Sequence, residues 1–482
     1  MSLLLLAITT ATNDFRAPDR YDSTASSAGF LACPRLLPQG NLADSSGIPR
    51  KTSVASCGWF FARQLAVARQ STGKAASAEM VAEPGVDKMG LKFASLPPGK
   101  VVVKQAAAGM WGAEHGILPG AELSAINGRQ VAEMSRDEFV NAMADRPIRI
   151  QMTLDPRELT REVTMTASAS SVLSVIAPWV GGPHFNEIHM AAAIYRLGLL
   201  SEDFTEQKAG SPVFKRLIER TRGAWNLFGG REIGNIFWAI AKLRAHATCF
   251  EELFPSLAEW VATRGDTMDA QAVANTFWSA AVLRNEVPGI RDLPARLVKA
   301  AHRQASRMIP QHISNVAWAI GVLRLNGSEI QSLLVAMSRE AAAKIGSFDS
   351  QALANTCHGL ARAGVQDHTL MTLIADEVLK KVKSWSKRGH AYSLPEIVWA
   401  HATVGLDRHE LLEVTAQILP LTIRSVPDWG VCALLWSYVK LDTAKVFAGF
   451  RRQLVAEVSR RGLDAQAVSR ARLGPEEWKA KD

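Results

Sequence analysis

The chain has 482 residues, 48% of them hydrophobic, with a mean hydropathy near zero, the balance of a globular protein long enough for two or three domains. Its net charge of +9 leans towards an anionic partner, and its five scattered cysteines, with no C-x-x-C pair, exclude a zinc ribbon and a disulfide framework. No apolar run approaches the roughly 18 residues that span a bilayer, so no membrane insertion is expected. The phosphate loop G-x-x-x-x-G-K-[ST], H-E-x-x-H and G-x-S-x-G are all absent, and the histidines form no recognised metal-ligand spacing, so neither an enzyme nor a cofactor is expected.

Residues 1 to 80 hold eight basic and five acidic residues among many Ser, Thr and Ala, which predicts a disordered transit segment addressed to an organelle, either the mitochondrial matrix or the plastid stroma. From 86 to 155 the period becomes that of strands. Val101-Val102-Val103 and Ile148 to Met152 are β-prone, and Ala121 to Ile126 runs into an Asn127-Gly128 turn signal. An amphipathic helix is predicted next, over Met134 to Ala144. This order of elements resembles a PDZ domain, most specifically in Pro119 to Gly128. The resemblance implies a loop whose backbone N–H groups capture the terminal carboxylate of a protein partner, and Lys88, Met89, Gly90 and Leu91 occupy that loop. Residues 156 to 184 read as a linker, with a small polar run at Ala167 to Ser171 and a breaker at Gly181-Gly182-Pro183.

Beyond it one phrase recurs seven times. Its best copies are Asn235-Ile236-Phe237-Trp238-Ala239, Asn275-Thr276-Phe277-Trp278-Ser279, Asn315-Val316-Ala317-Trp318-Ala319 and Asn355-Thr356-Cys357-His358-Gly359. Weaker copies place Trp399 and Trp436 at the tryptophan position, and a degenerate copy places His189 and Ala192 at the Asn and Trp positions. A period near 40 residues predicts two stacked helices per unit, over residues 185 to 463, with a charged tail over 464 to 482. On a helical wheel the third copy sets Trp278, Ala274, Ala281 and Phe277 on a broad apolar side and Ala272, Asn275, Thr276 and Ser279 on a narrow one. The tryptophans are expected as core plugs and the repeated Asn as a structural amide bonded to the neighbouring unit. Ser393 and Glu396 have the spacing of a capping box.

Residues that vary between units are where sequence could be read. Four positions before the Asn stand Phe185, Arg231, Gln271, Gln311, Gln351, Tyr392 and Trp429; three before it stand Asn186, Glu232, Ala272, His312, Ala352, Ser393 and Gly430. Such side chains either pair with and stack on bases or serve as ordinary helix-start residues. Arg244, Arg284 and Arg324, nine positions after the Asn, either meet phosphates or complement the carboxyl ends of their helices.

The repeated phrase, typified by Ala274 to Leu283, resembles the octotricopeptide and FAST-kinase-like leucine-rich repeats of organelle RNA-handling proteins. The resemblance implies a mainly α protein, an α-α solenoid of about seven helical-pair repeats, which binds single-stranded RNA and acts in transcript processing, stability or translation. The alternative is a protein-protein scaffold, an armadillo-like solenoid with a PDZ-like peptide-binding module.

Overall fold

The computed structural model describes residues 76 to 474, apart from 108, 118, 119, 155, 183, 184 and 443. The protein is mainly helical with a small antiparallel sheet near its amino-terminal end. The expected transit segment lies outside the described residues up to position 75. Residues 76 to 80, assigned to that segment, instead open the first strand: Ala78, Met80 and Ala82 alternate inward and Glu79 outward.

Strands β1 (Ala76–Ala82), β2 (Leu91–Phe93), β3 (Val101–Ala106), β4 (Glu122–Ile126) and β6 (Ile148–Leu154) lie in the order β1-β6-β4-β3-β2. The short β5 (Arg129–Gln130) pairs with β4 across a turn in which Asn127 and Gly128 both take positive φ, 50° and 83°. Val101, Val103, Leu123, Ile126, Ile148, Ile150 and Met152 form the core of the sheet. Helix α1 (Arg136–Ala144) starts at Ser135, whose hydroxyl accepts from the Glu138 N–H while the Glu138 carboxylate accepts from the Ser135 N–H. Phe139 of α1 meets Phe93 of β2 edge-on at 5.6 Å.

Residues 156 to 182, expected as part of a linker over 156 to 184, are packed structure. They form α2 (Pro156–Met165) and α3 (Ala169–Ile176), whose Leu159, Val163, Val172 and Ile176 are fully buried. The small polar run that suggested a boundary is a helix start, since the Ser168 hydroxyl accepts from the Ser171 N–H. Arg196 of the next helix donates to the Thr166 carbonyl, which ties the pair to the first repeat unit.

Helices α4 (Glu187–Leu199), α6 (Gly230–Lys242), α8 (Ala270–Val282), α10 (Pro310–Leu323), α12 (Ser350–Arg362), α14 (Leu394–Val404) and α16 (Asp428–Leu441) carry the repeated phrase, and each packs on the next. Between them lie α5 (Pro212–Gly223), α7 (Phe254–Arg264), α9 (Val298–Gln304), α11 (Ser328–Lys344), α13 (His368–Lys381) and α15 (His409–Ile418). From α9 to α15 these second helices also contact one another in sequence, giving a second row. Helix α17 (Ala448–Arg460) packs on α16. The expected tail is partly structured too: α18 (Ala465–Ala471) packs on α16, burying Ala467, Val468 and Ala471. Helix α14 does not begin with the expected capping box. A π-helical turn, Gly389–Ser393, runs directly into it, so Ser393 is already helical and caps nothing.

Three repeated devices hold the first helices in register. Small residues let their backbones touch: a Cβ on Gly359 would fall 2.2 Å from the Ala317 carbonyl oxygen, and one on Gly234 would fall 2.6 Å from the Ala272 Cα. A buried apolar residue stands two positions ahead of each first helix but α14, namely Phe185, Phe228, Met268, Met308, Phe348 and Val426. The third device is a donor at the end of each of several second helices, reaching back to the connector of the unit before. Arg264 donates to the Asn226 carbonyl at 2.6 Å, Gln304 to Met268 at 3.3 Å, and Lys344 to Ser306 and Met308 at 3.0 and 2.9 Å. Lys381 donates to Gly346 and Phe348 at 2.6 and 3.1 Å, and Arg461 to Val426 and Ile423 at 2.7 and 2.9 Å. These carbonyls lie in or just after 3-10 turns, where helical partners run out, so the donors complete them; that of Ile423 also accepts from the Val426 N–H.

Replacing Lys344 with Met keeps the stem and removes the donor, and is expected to cost about 1–3 kcal/mol in denaturant unfolding. Gly359→Ala is expected to cost a similar amount, about 1–3 kcal/mol, by forcing α10 and α12 apart. A variant of either kind as stable as the parent would show that the contact does not hold the row.

Candidate nucleic-acid interface

Each central first helix has its neighbours on two sides and the second helices behind it, so one stripe is left. Residues at i, i+4, i+7 and i+11 share it, because these steps return to within about 40° on a helix of 3.6 residues per turn. The stripe reads Arg231, Asn235, Trp238, Lys242 on α6; Gln271, Asn275, Trp278, Val282 on α8; Gln311, Asn315, Trp318, Val322 on α10; and Gln351, Asn355, His358, Arg362 on α12, of which Asn235, Asn275, Val322 and His358 are buried and the rest partly or fully exposed. Both sides of the wheel are largely buried: Ala272, Thr276 and Ser279 are at most 1% exposed, as are Ala274, Phe277 and Ala281, while Trp278 and Val282 are half-buried. Thr276 and Ser279 enter the core because their hydroxyls donate to the Ala272 and Asn275 carbonyls of their own helix.

Trp238, Trp278 and Trp318 therefore occupy equivalent, partly buried slots against the edge of the core. Trp399 and Trp436 are buried, as expected of plugs. The four repeated asparagines do not bond the neighbouring unit; among the described residues no side-chain hydrogen bond is made by Asn235, Asn275, Asn315 or Asn355. The degenerate first copy shifts by three residues. Phe185 precedes Tyr195 as Phe228 precedes Trp238, the Tyr195 ring lies 4.9 Å from Trp238, and Ala192 stands at the Asn position. His189 is instead a buried cap whose Nδ1 accepts from the Asn186 N–H at 3.1 Å. Phe185 and Asn186 are thus helix-start residues and not part of the stripe.

Among the varying residues, Gln311 and Gln351 are exposed and Gln271 is half-buried, and among the described residues none of their amides bonds to protein. Tyr392 is 51% exposed beneath Arg388, whose guanidinium lies 5.6 Å from the ring centre. Arg231 is already engaged: it donates twice to Asp269, at 3.1 and 2.9 Å, and so joins α6 to the cap of α8. Glu232 is half-buried beside Gly229, at the start of α6. His312 turns inward from the stripe. Arg244 is exposed at the end of α6, and Arg324 is exposed in a left-handed conformation with φ 54°. Arg284 donates to the Ala281 carbonyl at 2.7 Å, the helix-end role rather than a phosphate contact.

Around the expected carboxylate loop, Lys88 is exposed, Met89 is buried and Gly90 has φ 72°. The Gly90 carbonyl accepts from Ala107 and the Met89 carbonyl from Gly112. A Cβ on Gly90 would fall 2.3 Å from the Met110 Cβ, and one on Gly112 would fall 2.5 Å from a Leu91 methyl carbon. The 107–112 turn therefore lies against the loop and narrows its opening.

The stripe also holds Lys242 and Arg362, which the sequence reading did not single out, and the tryptophans, which it assigned to the core. The spacing of four and then three from Gln271 to Asn275 to Trp278 was the available signal, and the apolar character of Trp concealed it. Lys242 adds a cation 5.7 Å from the Trp238 ring centre. Among the described residues no group of His, Cys, Asp and Glu is arranged to hold a metal, and no helix is long and apolar enough to cross a membrane.

Burial lowers the His312 pKa to about 4, against an opposing pull from Asp269. The folded value lies below the unfolded value of about 6.5, so the stability this neutral imidazole contributes is complete above that pH and declines as pH falls towards about 4. Stability relative to His312→Gln should fall over that window, and the His312 ring should titrate near its lower end by NMR. A ring that titrates at its ordinary value would remove the effect. The chain matches no known protein-family model, and no curated protein is similar to it.

Proposed function

We propose that this chain is a non-catalytic RNA-binding protein of an organelle, mitochondrial or plastid, built as an α-solenoid akin to the octotricopeptide and FAST-kinase-like repeats. In this reading single-stranded RNA lies along the stripe, while the PDZ-like module holds a protein partner through its C-terminus. The observation that supports it is the recurrence, in three successive units, of a partly exposed tryptophan, Trp238, Trp278 and Trp318, next to amides without protein partners among the described residues. A tryptophan face stacks on any base, and the Gln271, Gln311 and Gln351 amides offer both donors and acceptors to base edges. Lys242 sets an exposed cation at the end of the stripe, and the excess of basic residues favours phosphate.

Binding of a fluorescent oligouridylate is expected to weaken at least about tenfold in a Trp278→Ala, Trp318→Ala double variant, since each stacked base is worth roughly 1–3 kcal/mol. Gln271→Glu with Gln311→Glu should weaken it as well, and affinity should fall steeply with salt. Folded variants that bind RNA like the parent would reject the stripe. Absence of RNA binding by the parent, with capture of an extended peptide instead, would favour the scaffold.

A further inference from the structure

The stripe is not open along its whole length. Trp238, Trp278 and Trp318 are partly exposed, but His358 and Trp399, which continue their row, and Trp429, at the Gln271 position of the last unit, are 0%, 1% and 6% exposed. These three form a continuous line, with His358 5.1 Å from Trp399 and Trp399 6.5 Å from Trp429. The difference coincides with the carboxyl-terminal part of the described chain. After α17 the backbone turns at Gly462, which has φ 69°, and α18 packs on α16. Residues 472 to 474 then reach back to α12, two first helices earlier, where Arg362 donates to the Leu473 carbonyl across 111 positions of sequence. A Cβ on Gly474 would lie 3.5 Å from the Trp399 ring and 3.1 Å from the Arg362 guanidinium. Arg362 is the last residue of the α12 stripe, so a backbone carbonyl occupies a cation that the stripe would otherwise present.

We propose that α18 and residues 472–474 form an autoinhibitory strap, which covers the His358–Trp399–Trp429 end of the stripe and competes with the nucleic acid for it. The proposal rests on the RNA-binding reading above. Two features suit a cover that lifts. The indole N–H groups of Trp399 and Trp429 are buried with no hydrogen-bond partner among the described residues, so closure leaves two donors unsatisfied that an incoming strand would meet. The buried apolar residues of α18, Ala467, Val468 and Ala471, are also small, and residues 472–474 meet Arg362 through a backbone carbonyl. With the strap closed, ligand meets the units of Trp238, Trp278 and Trp318. With the strap open, the groove extends along α12, α14 and α16.

Gly474→Val tests this in the full chain, because Gly474 has φ 95°, a conformation that a β-branched residue rarely adopts. A chain ending at Leu463 is the second variant. Both are expected to bind a 20-nucleotide oligouridylate about tenfold tighter than the parent, the worth of one further stacked base. Both should also make more of the tryptophan fluorescence accessible to acrylamide. Equal RNA affinity across the three chains, with the parent binding, overturns the strap. If no chain binds RNA, the RNA-binding reading fails separately, and acrylamide decides: raised quenching in Gly474→Val supports a cover over the tryptophans, and unchanged quenching overturns it.

Discussion

Close backbone contact between successive first helices is the constraint on which the architecture depends. Where Gly359 lies on the Ala317 carbonyl and Gly234 on Ala272, no side chain separates the helices, and neighbouring units are joined by peptide surfaces. Contacts of this kind fix the angle between helices more tightly than interleaved long side chains do, because no rotamer can change to absorb a shift. Everything larger in the helical part is placed relative to that contact. The aromatic and branched residues, Phe237, Phe277, Ile240 and Ile320, fill the space between the two rows.

The same contact decides which side of each helix faces outward. A helix flanked at van der Waals distance and backed by a second row has a single strip left, and the repeat places its amide and its indole there. Hydroxyls that a wheel counts as polar, those of Thr276 and Ser279, instead bond within their own helix and enter the core. The stripe is therefore defined by what the packing excludes as much as by the character of its residues.

This is where the sequence was legible and where it was not. The spacing of Trp238, Trp278 and Trp318 located the first helices, and Asn127-Gly128 located a turn, because both signals are local. The burial of Trp238, Trp278 and Trp318 was overjudged. A tryptophan is apolar by composition yet lies at the edge of the core, and only the neighbouring helices reveal this. The linker reading of 156–184 failed for a related reason, since Ser168 serves as a cap and the apolar residues after it find their partners in a helix some twenty positions on. Donors such as Lys344 and Lys381 look like solvated charges on a wheel. Their partners, the carbonyls some 36 residues earlier, have no sequence signature at all.

Most of those backward-reaching donors join a unit only to the one before it, so disturbance at one unit is passed on step by step and fades with distance. The Arg362–Leu473 contact is of another kind, for it closes a ring through α12, α14, α16 and α18. Within the ring, separating any pair strains the others. While that contact is made the four helices are linked in a loop, and its release returns them to contacts between successive helices only, as from α4 to α10.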